Sequence, residues 1–241
     1  MKNAIFLHLY YRHLWQEIME RLKSIPFPFN LYINLVESHT DSIDILKDFP
    51  EAIINISPNQ GMDCGGQLRT LHYWLEHGHN EELIIFLHSK GKPLTETPAK
   101  TKETDELRNL LWSIVTPEKY PLVEQAFLDE KVGMVGEKSW HRYPPLDHGS
   151  PIPECEYYCN LLKLNNYETN NFGFCAGTMF FVRSKIFKQV FSSVDILKIV
   201  EELPISSNGG NIHALERIFG YIVLSEQFKI AGVSITPTLK G

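Results

Sequence analysis

The sequence predicts an α/β protein: a mostly parallel, Rossmann-like sheet with helices on both faces, in a single domain over residues 1–241. Three observations predict it. Strand-like and helix-like segments alternate regularly over about the first 90 residues, the pattern of repeated βα units. The segment Glu82 to Leu87 is nearly all apolar, as suits a central parallel strand covered on both faces. Polar and glycine-rich clusters follow directly on the strand-like runs, where open α/β sheets place their ligands.

Each element has a local reason. Ala4 to Tyr10 reads as a strand, and Leu14, Ile18, Leu22 and Ile25 follow at helical spacing until Pro26 and Pro28 end the helix. Leu31 to Val36 is a second strand, Ser42 to Phe49 a short helix, and Ala52 to Ile56 a third strand closed by Pro58. A polar turn from Asn59 to Gly66 leads into a helix at about Gln67 to His77, and Glu82 to Leu87 is the fourth strand. Gly91 to Glu106, rich in Lys, Thr, Glu and Pro, reads as an exposed, mobile loop. Helices are expected at about Asp105 to Val115 and Pro121 to Asp129, then a strand at Val132 to Val135 and a long loop from Ser139 to Pro153. A helix at Glu156 to Leu164 precedes a strand at Gly177 to Arg183, which runs into a helix at Ser184 to Phe191. Ile196 to Glu202 reads as helix, Ser206 to Asn211 as a turn capping a helix from Ile212 to Gln227, and Ile230 to Thr236 as a closing strand.

Composition narrows the function classes. Lys and Arg number 23 against 29 Asp and Glu, a net charge of −6. Binding along a nucleic-acid backbone needs clustered positive charge, so no nucleic-acid partner is expected. A local basic pocket for one small phosphorylated ligand stays open. No signal peptide and no apolar run long enough to span a bilayer are seen, and a reduced, cytoplasmic setting is expected. The four cysteines then read as free thiols, with Cys155 and Cys159 packing at i, i+4 on a helix rather than holding zinc.

Four motifs carry chemistry. Pro58-Asn59-Gln60-Gly61-Met62-Asp63-Cys64-Gly65-Gly66 lies between a strand and a helix. Its glycines allow close backbone approach to a ligand, a helix N-terminus offers N–H groups to an anion, and Asp63 could hold a sugar hydroxyl or a metal. It lacks the spacing of a Walker A loop or a dinucleotide fingerprint, and an ordinary βα turn would use similar residues. His88-Ser89-Lys90-Gly91-Lys92, after the most apolar strand, suits a diphosphate through charge-assisted hydrogen bonds, though a solvated basic loop would look alike. In Phe174 to Arg183, Gly177 would permit close approach of an acceptor or sugar to the strand start and Phe180 or Phe181 could stack on a sugar, while Met179 to Val182 reads mainly as core. In His213-Ala214-Leu215-Glu216-Arg217, His213 and Glu216 fall at i, i+3 and could supply a general base; structural ion pairs are the plainer reading. Trp140-His141-Arg142-Tyr143 could meet a sugar face or simply anchor its loop.

At these motifs the sequence resembles the rhamnan synthesis protein F family of polysaccharide-assembly glycosyltransferases. The likeness rests on His8-Leu9-Tyr10-Tyr11 with Leu14-Trp15, the run from Ile25 to Tyr32, and Pro58, Asn59, Gly61 and Asp63 of a Pro-Asn-x-Gly-x-Asp pattern. It continues through His88-Ser89-Lys90, Ala176 to Phe180 with Arg183, and His213 to Arg217. Gln60 and Met62 stand where arginines are frequent, and Gly91 intervenes before Lys92.

The resemblance implies a GT-A-like fold, with a nucleotide-sugar half at about 1–135 and an acceptor half at about 136–241. It implies transfer of rhamnose or another hexose from a nucleoside-diphosphate donor to a growing cell-surface polysaccharide or lipid-linked glycan. His8, Tyr10, Asn59, Gly61, Asp63, His88 and Lys90 would bind the donor, and Gly177, Thr178 and Trp140 the acceptor. Asp63 joins Glu216 and His213 in the catalytic set, with Glu216 or His213 deprotonating the acceptor hydroxyl if the reaction inverts. Asp63 is the candidate ligand for Mg²⁺ or Mn²⁺; without a D-x-D motif, metal-independent chemistry with Lys90 supplying the charge is equally open. The expected place is the cytoplasm, at the inner face of the cell membrane if the acceptor is lipid-linked. A non-catalytic nucleotide- or glycan-binding module of an assembly complex is the alternative.

Overall fold

Apolar residues alternate in direction along a strand, and here both directions are buried. The computed structural model describes residues 2–37, 43–92, 95–142, 152–165, 173–205 and 210–235. In chain order the elements are β1 (Asn3–Leu9), α1 (Trp15–Lys23), β2 (Phe29–Val36), α2 (Ile43–Asp48), β3 (Ile53–Ser57), α3 (Met62–Glu76) and β4 (Leu83–His88). There follow α4 (Pro98–Trp112), α5 (Tyr120–Phe127), β5 (Val132–Glu137), β6 (His141–Arg142), α6 (Ile152–Leu161), β7 (Phe174–Cys175) and β8 (Phe180–Arg183). The chain continues through α7 (Ser184–Phe191), α8 (Ile196–Glu201), α9 (Gly210–Ser225) and β9 (Lys229–Val233).

Seven strands form one Rossmann-like sheet in the order β3-β2-β1-β4-β8-β5-β9. Its pairings are parallel except those of β8, which runs antiparallel to β4 and β5. Phe6 on β1, Phe86 on β4 and Phe180 on β8 join a core on one face with Leu68 and Trp74 of α3 and Phe219 of α9. Ile5, Ile85 and Phe181 point the other way, into a second core with Ile18 of α1, Trp112 of α4 and Val123 of α5. Burial on both faces is why β4 reads as a continuous apolar run. Among the described residues no helix is long and apolar enough to cross a membrane. The four cysteines are free and buried; Cys155 and Cys159 lie inside the first core, as their helical spacing predicts.

Three expectations need correction. The turn expected from Asn59 to Gly66 is mostly helix, since α3 begins at Met62. Gly65 and Gly66 are poor helix formers, but tertiary packing overrides that preference: a Cβ on Gly66 would sit 2.1 Å from His8 Nδ1. The loop expected to reach Glu106 ends at Pro98, which opens α4 at a position where its missing N–H costs nothing. Lys102 and Glu106 pair along that helix at 3.9 Å, so its polar residues make a solvated helix face rather than a loop. The strand expected from Gly177 starts at Phe180, because Gly177 and Thr178 both take left-handed backbone, with φ of 85° and 53°. The long loop after Ser139 includes a short β6 paired with β7; Tyr143 to Pro151, and Ser206 to Gly209 of the later turn, lie outside the described residues.

Candidate active site

The parallel register aligns polar residues just above the apolar rungs. His8 pairs with Asn34 on one side and His88 on the other, and Asn34 pairs with Asn55. One rung below, Phe6 lies between Tyr32 and Phe86. The carboxyl ends of β3, β2, β1 and β4 therefore carry a continuous row, Asn55-Asn34-His8-His88, on the face covered by α3.

Further contacts organise the strand ends. Gln67 Nε2 donates to the carbonyls of Phe6 and Leu87, at 3.1 and 2.7 Å, tying β1 to β4 from inside α3. The Ser89 hydroxyl oxygen accepts the N–H groups of Tyr10 and Tyr11, both at 2.9 Å, and so holds the turn after β1. Arg108, buried on α4, donates to the Lys90 carbonyl at 2.8 Å and binds Glu17 and Asp105. Its guanidinium fork thereby fixes the Lys90 backbone against α1 and α4.

Asp63 stands in the first turn of α3, with Oδ2 3.5 Å from His88 Nε2. His88 Nε2 donates to the Gly177 carbonyl at 2.8 Å, and the Gly177 N–H donates to Glu216 at 2.5 Å. The backbone of one residue, Gly177, thus links His88 to Glu216. The Thr178 hydroxyl lies close enough to Asp63 to favour its charged form. Positive φ is rare for a β-branched residue, and such conformations cluster at functional sites. Here it turns Thr178 toward Asp63.

A cleft of about 530 Å³ opens over these strand ends. His8, Tyr10, Asn59, Asp63, His88 and Lys90 all line it, with Tyr11, Ser89 and Lys92. Gly61 serves through its backbone: at φ 72° it starts α3, and a Cβ there would meet Leu203 at 2.3 Å. Gly177, Thr178 and Glu216 join the cluster through the contacts just given. Two predicted residues stay apart from it. His213 is exposed on α9, and among the described residues no hydrogen bond or ion pair joins its ring to the cluster. Trp140 packs against the second core beneath the Arg142 guanidinium and does not line the cleft.

Charge is distributed unevenly. Burial raises the Asp63 carboxyl pKa, but the neighbouring cation Lys90, the imidazoles and the Thr178 hydroxyl outweigh it, and Asp63 stays a carboxylate with a pKa below the ordinary value. Burial pushes His88 down, so its contact with Asp63 is between a neutral imidazole and an anion. Burial likewise lowers His8. Glu216 is displaced the opposite way: burial, aided by the Asp63 charge, raises it above 4.5 despite the Gly177 N–H.

A family model described as rhamnan synthesis protein F matches residues 1–228, and so spans every residue of this cluster. The chain belongs to the rhamnan synthesis protein F family. Membership implies a role in rhamnan polysaccharide synthesis. No curated protein matches the chain.

Three residues of this family member escape motif reading: Asn34, Gln67 and Arg108. Asn34 had a signal, as an amide within the apolar strand Leu31 to Val36. Gln67 and Arg108 sit among ordinary helix residues, and only packing shows what they bind.

Proposed function

We propose that the chain is a glycosyltransferase that moves a hexose, rhamnose or another, from a nucleoside-diphosphate donor to a growing cell-surface polysaccharide or lipid-linked glycan. The observation that carries this reading is the joining of Asp63, His88, Thr178 and Glu216 beside a cleft that also holds Lys90 and Lys92. Paired ammonium groups suit a leaving diphosphate, and carboxylates suit hydroxyls and a transferred proton. The sheet order, with its single antiparallel strand β8, is compatible with a GT-A-like fold; that support is an analogy of fold.

In this reading the acceptor hydroxyl oxygen bonds to the anomeric carbon with inversion. The anomeric C–O bond to the diphosphate breaks, and its electron pair leaves with the nucleoside diphosphate. Glu216, with its raised pKa, takes the acceptor proton. His213, exposed and outside the cluster, is given no part in the step. Asp63 holds a donor hydroxyl, and Lys90 and Lys92 balance the developing phosphate charge.

Mg²⁺ and Mn²⁺ favour oxygen ligands. Around Asp63 the neighbours are two imidazoles and an ammonium, and the described residues contain no group of three or more His, Cys, Asp and Glu suited to a metal. That donor set fits the ion poorly, and no step is routed through one. A lipid-linked acceptor would bring the chain to the inner face of the cell membrane.

The test is a thermal-shift and turnover screen with dTDP-, UDP- and GDP-sugars, with and without EDTA. A donor at 100 times its Kd adds about 2.7 kcal/mol of stability. One nucleotide series should shift the wild type, and Asp63→Ala should abolish transfer while remaining folded. Near-normal turnover by that variant would sink the role given to Asp63. Binding without transfer to any glycan would favour the non-catalytic module.

A further inference from the structure

We infer that Asn34 is a positioning residue that fixes the tautomer of His8, so that His8 carries its proton on Nδ1 and presents a bare Nε2 as a hydrogen-bond acceptor for a ligand hydroxyl in the cleft. The inference deepens the donor-site reading above and rests on it for the identity of the ligand. The tautomer itself does not.

The geometry is a directed chain of hydrogen bonds. The Ser57 hydroxyl donates to the Pro58 carbonyl at 3.3 Å, which leaves its oxygen to accept. Asn34 Nδ2 donates to that oxygen at 2.9 Å and to Asn55 Oδ1 at 3.0 Å. Both Asn34 amide hydrogens are thereby used, and the Asn34 carbonyl oxygen faces His8 Nδ1 at 2.8 Å. Two acceptors cannot share that distance without a proton between them, so Nδ1 must donate. A neutral ring protonated on Nδ1 has its lone pair on Nε2.

The surroundings hold the arrangement in place. Asn34 is 1% exposed and His8 4%. The α3 backbone lies directly over their hydrogen bond at Gly66, where a Cβ would stand 2.1 Å from His8 Nδ1 and 2.6 Å from Asn34 Oδ1. No side chain fits there, and water is kept from the bond. Burial lowers the His8 pKa and keeps the ring neutral; Asp63 and His88 are the titratable groups coupled to it. His8 lines the cleft beside Asn59, whose Oδ1 is buried with no hydrogen-bond partner among the described residues, and Asp63, a carboxylate. All three present acceptors. Their shared complement is a polyhydroxylated ligand, and the hydroxyl could belong to the donor sugar or to the ribose.

The experiment uses the full chain, with its histidines ¹⁵N-labelled. Long-range imidazole spectra of the wild type should show His8 protonated on Nδ1 and bare on Nε2; a proton on Nε2 overturns the inference whatever the chain binds. Asn34→Leu should mix the two tautomers. Calorimetric titration then compares dTDP-, UDP- and GDP-sugars with the bare nucleoside diphosphates. Loss of one neutral hydrogen bond weakens binding roughly three- to tenfold. A loss in Asn34→Leu confined to the sugar nucleotides places the hydroxyl on the sugar, and a loss shared with the diphosphates places it on the ribose. Asn34→Asp puts a carboxylate on Nδ1–H, favours the imidazolium and turns Nε2 into a donor. Its binding should be weak at neutral pH and recover toward wild type as pH rises; a loss that is independent of pH would mean a structural role and overturn the positioning claim. A wild type with the inferred tautomer that binds none of these ligands would support the positioning and remove the donor reading.

Discussion

At the scale of single residues, the cluster is built on contrast between two carboxyls. Asp63 lies beside Lys90 and the Thr178 hydroxyl, while Glu216 is half-buried, with one N–H on its carboxylate and its guanidinium neighbour Arg217 3.8 Å away. Neighbouring groups hold the pKa of the first below the ordinary value and burial raises that of the second, a separation that suits the proposed division between an anchor and a base. A carboxyl with raised folded pKa is protonated, and inactive as a base, below that value, so transfer should rise with pH through a limb above 4.5. Glu216→Gln should cost about 10²–10⁴-fold in turnover and erase that limb, with donor affinity retained. A pH–rate profile of both proteins measures it; an unchanged limb would remove Glu216 from the proton transfer. Asp63 and Glu216 were legible as chemistry-bearing residues in their motifs. The sorting of His213 from Glu216 was not, because neighbours at i, i+3 share a helix face but differ here in depth: one is exposed and the other touches Gly177.

At the scale of elements, helix α3 and the loop after β4 decide whether the cleft exists. The glycines of α3 look like a turn to any local reading, since their cost in a helix is real and what repays it lies on other strands. Gly66→Ala should disturb His8 and abolish nucleotide binding, and overpacking of this kind typically costs about 1–3 kcal/mol. Gly78→Ala is the control: at φ 65° it is strained, but a Cβ there meets nothing within 4 Å, so stability falls while binding persists. Urea unfolding and calorimetry separate the two effects, and normal binding by Gly66→Ala would refute the close-packing argument. Arg108 acts across elements in the same way. Arg108→Lys keeps the charge but loses the fork that reaches the Lys90 carbonyl, Glu17 and Asp105 together. Donor affinity should fall about tenfold, or 1.4 kcal/mol, with turnover at saturation nearly kept. A fall in saturated turnover alone would contradict a positioning role.

At the scale of the whole molecule, one sheet separates two cores and lends its upper edge to the cleft. Phe86 sits at the centre of the first core, fully buried against Phe6, Phe180 and Phe219. Phe86→Ala should destabilise the protein by about 3–5 kcal/mol in denaturant unfolding, and a loss under 1 kcal/mol would mean that this cluster does not hold the fold together. The alternation of strands and helices, the fully buried character of β4, the placing of polar motifs at strand ends and the family likeness were all determined by the sequence alone. Each depends on spacing or turn chemistry within a few residues. Tertiary structure alone decided that β8 enters antiparallel between β4 and β5, and that Gly177 arrives 89 residues from His88 and 39 from Glu216. Such contacts are chosen by which apolar faces pack together across the sheet, a long-range balance that no local pattern records. That packing turns separate motifs into one site.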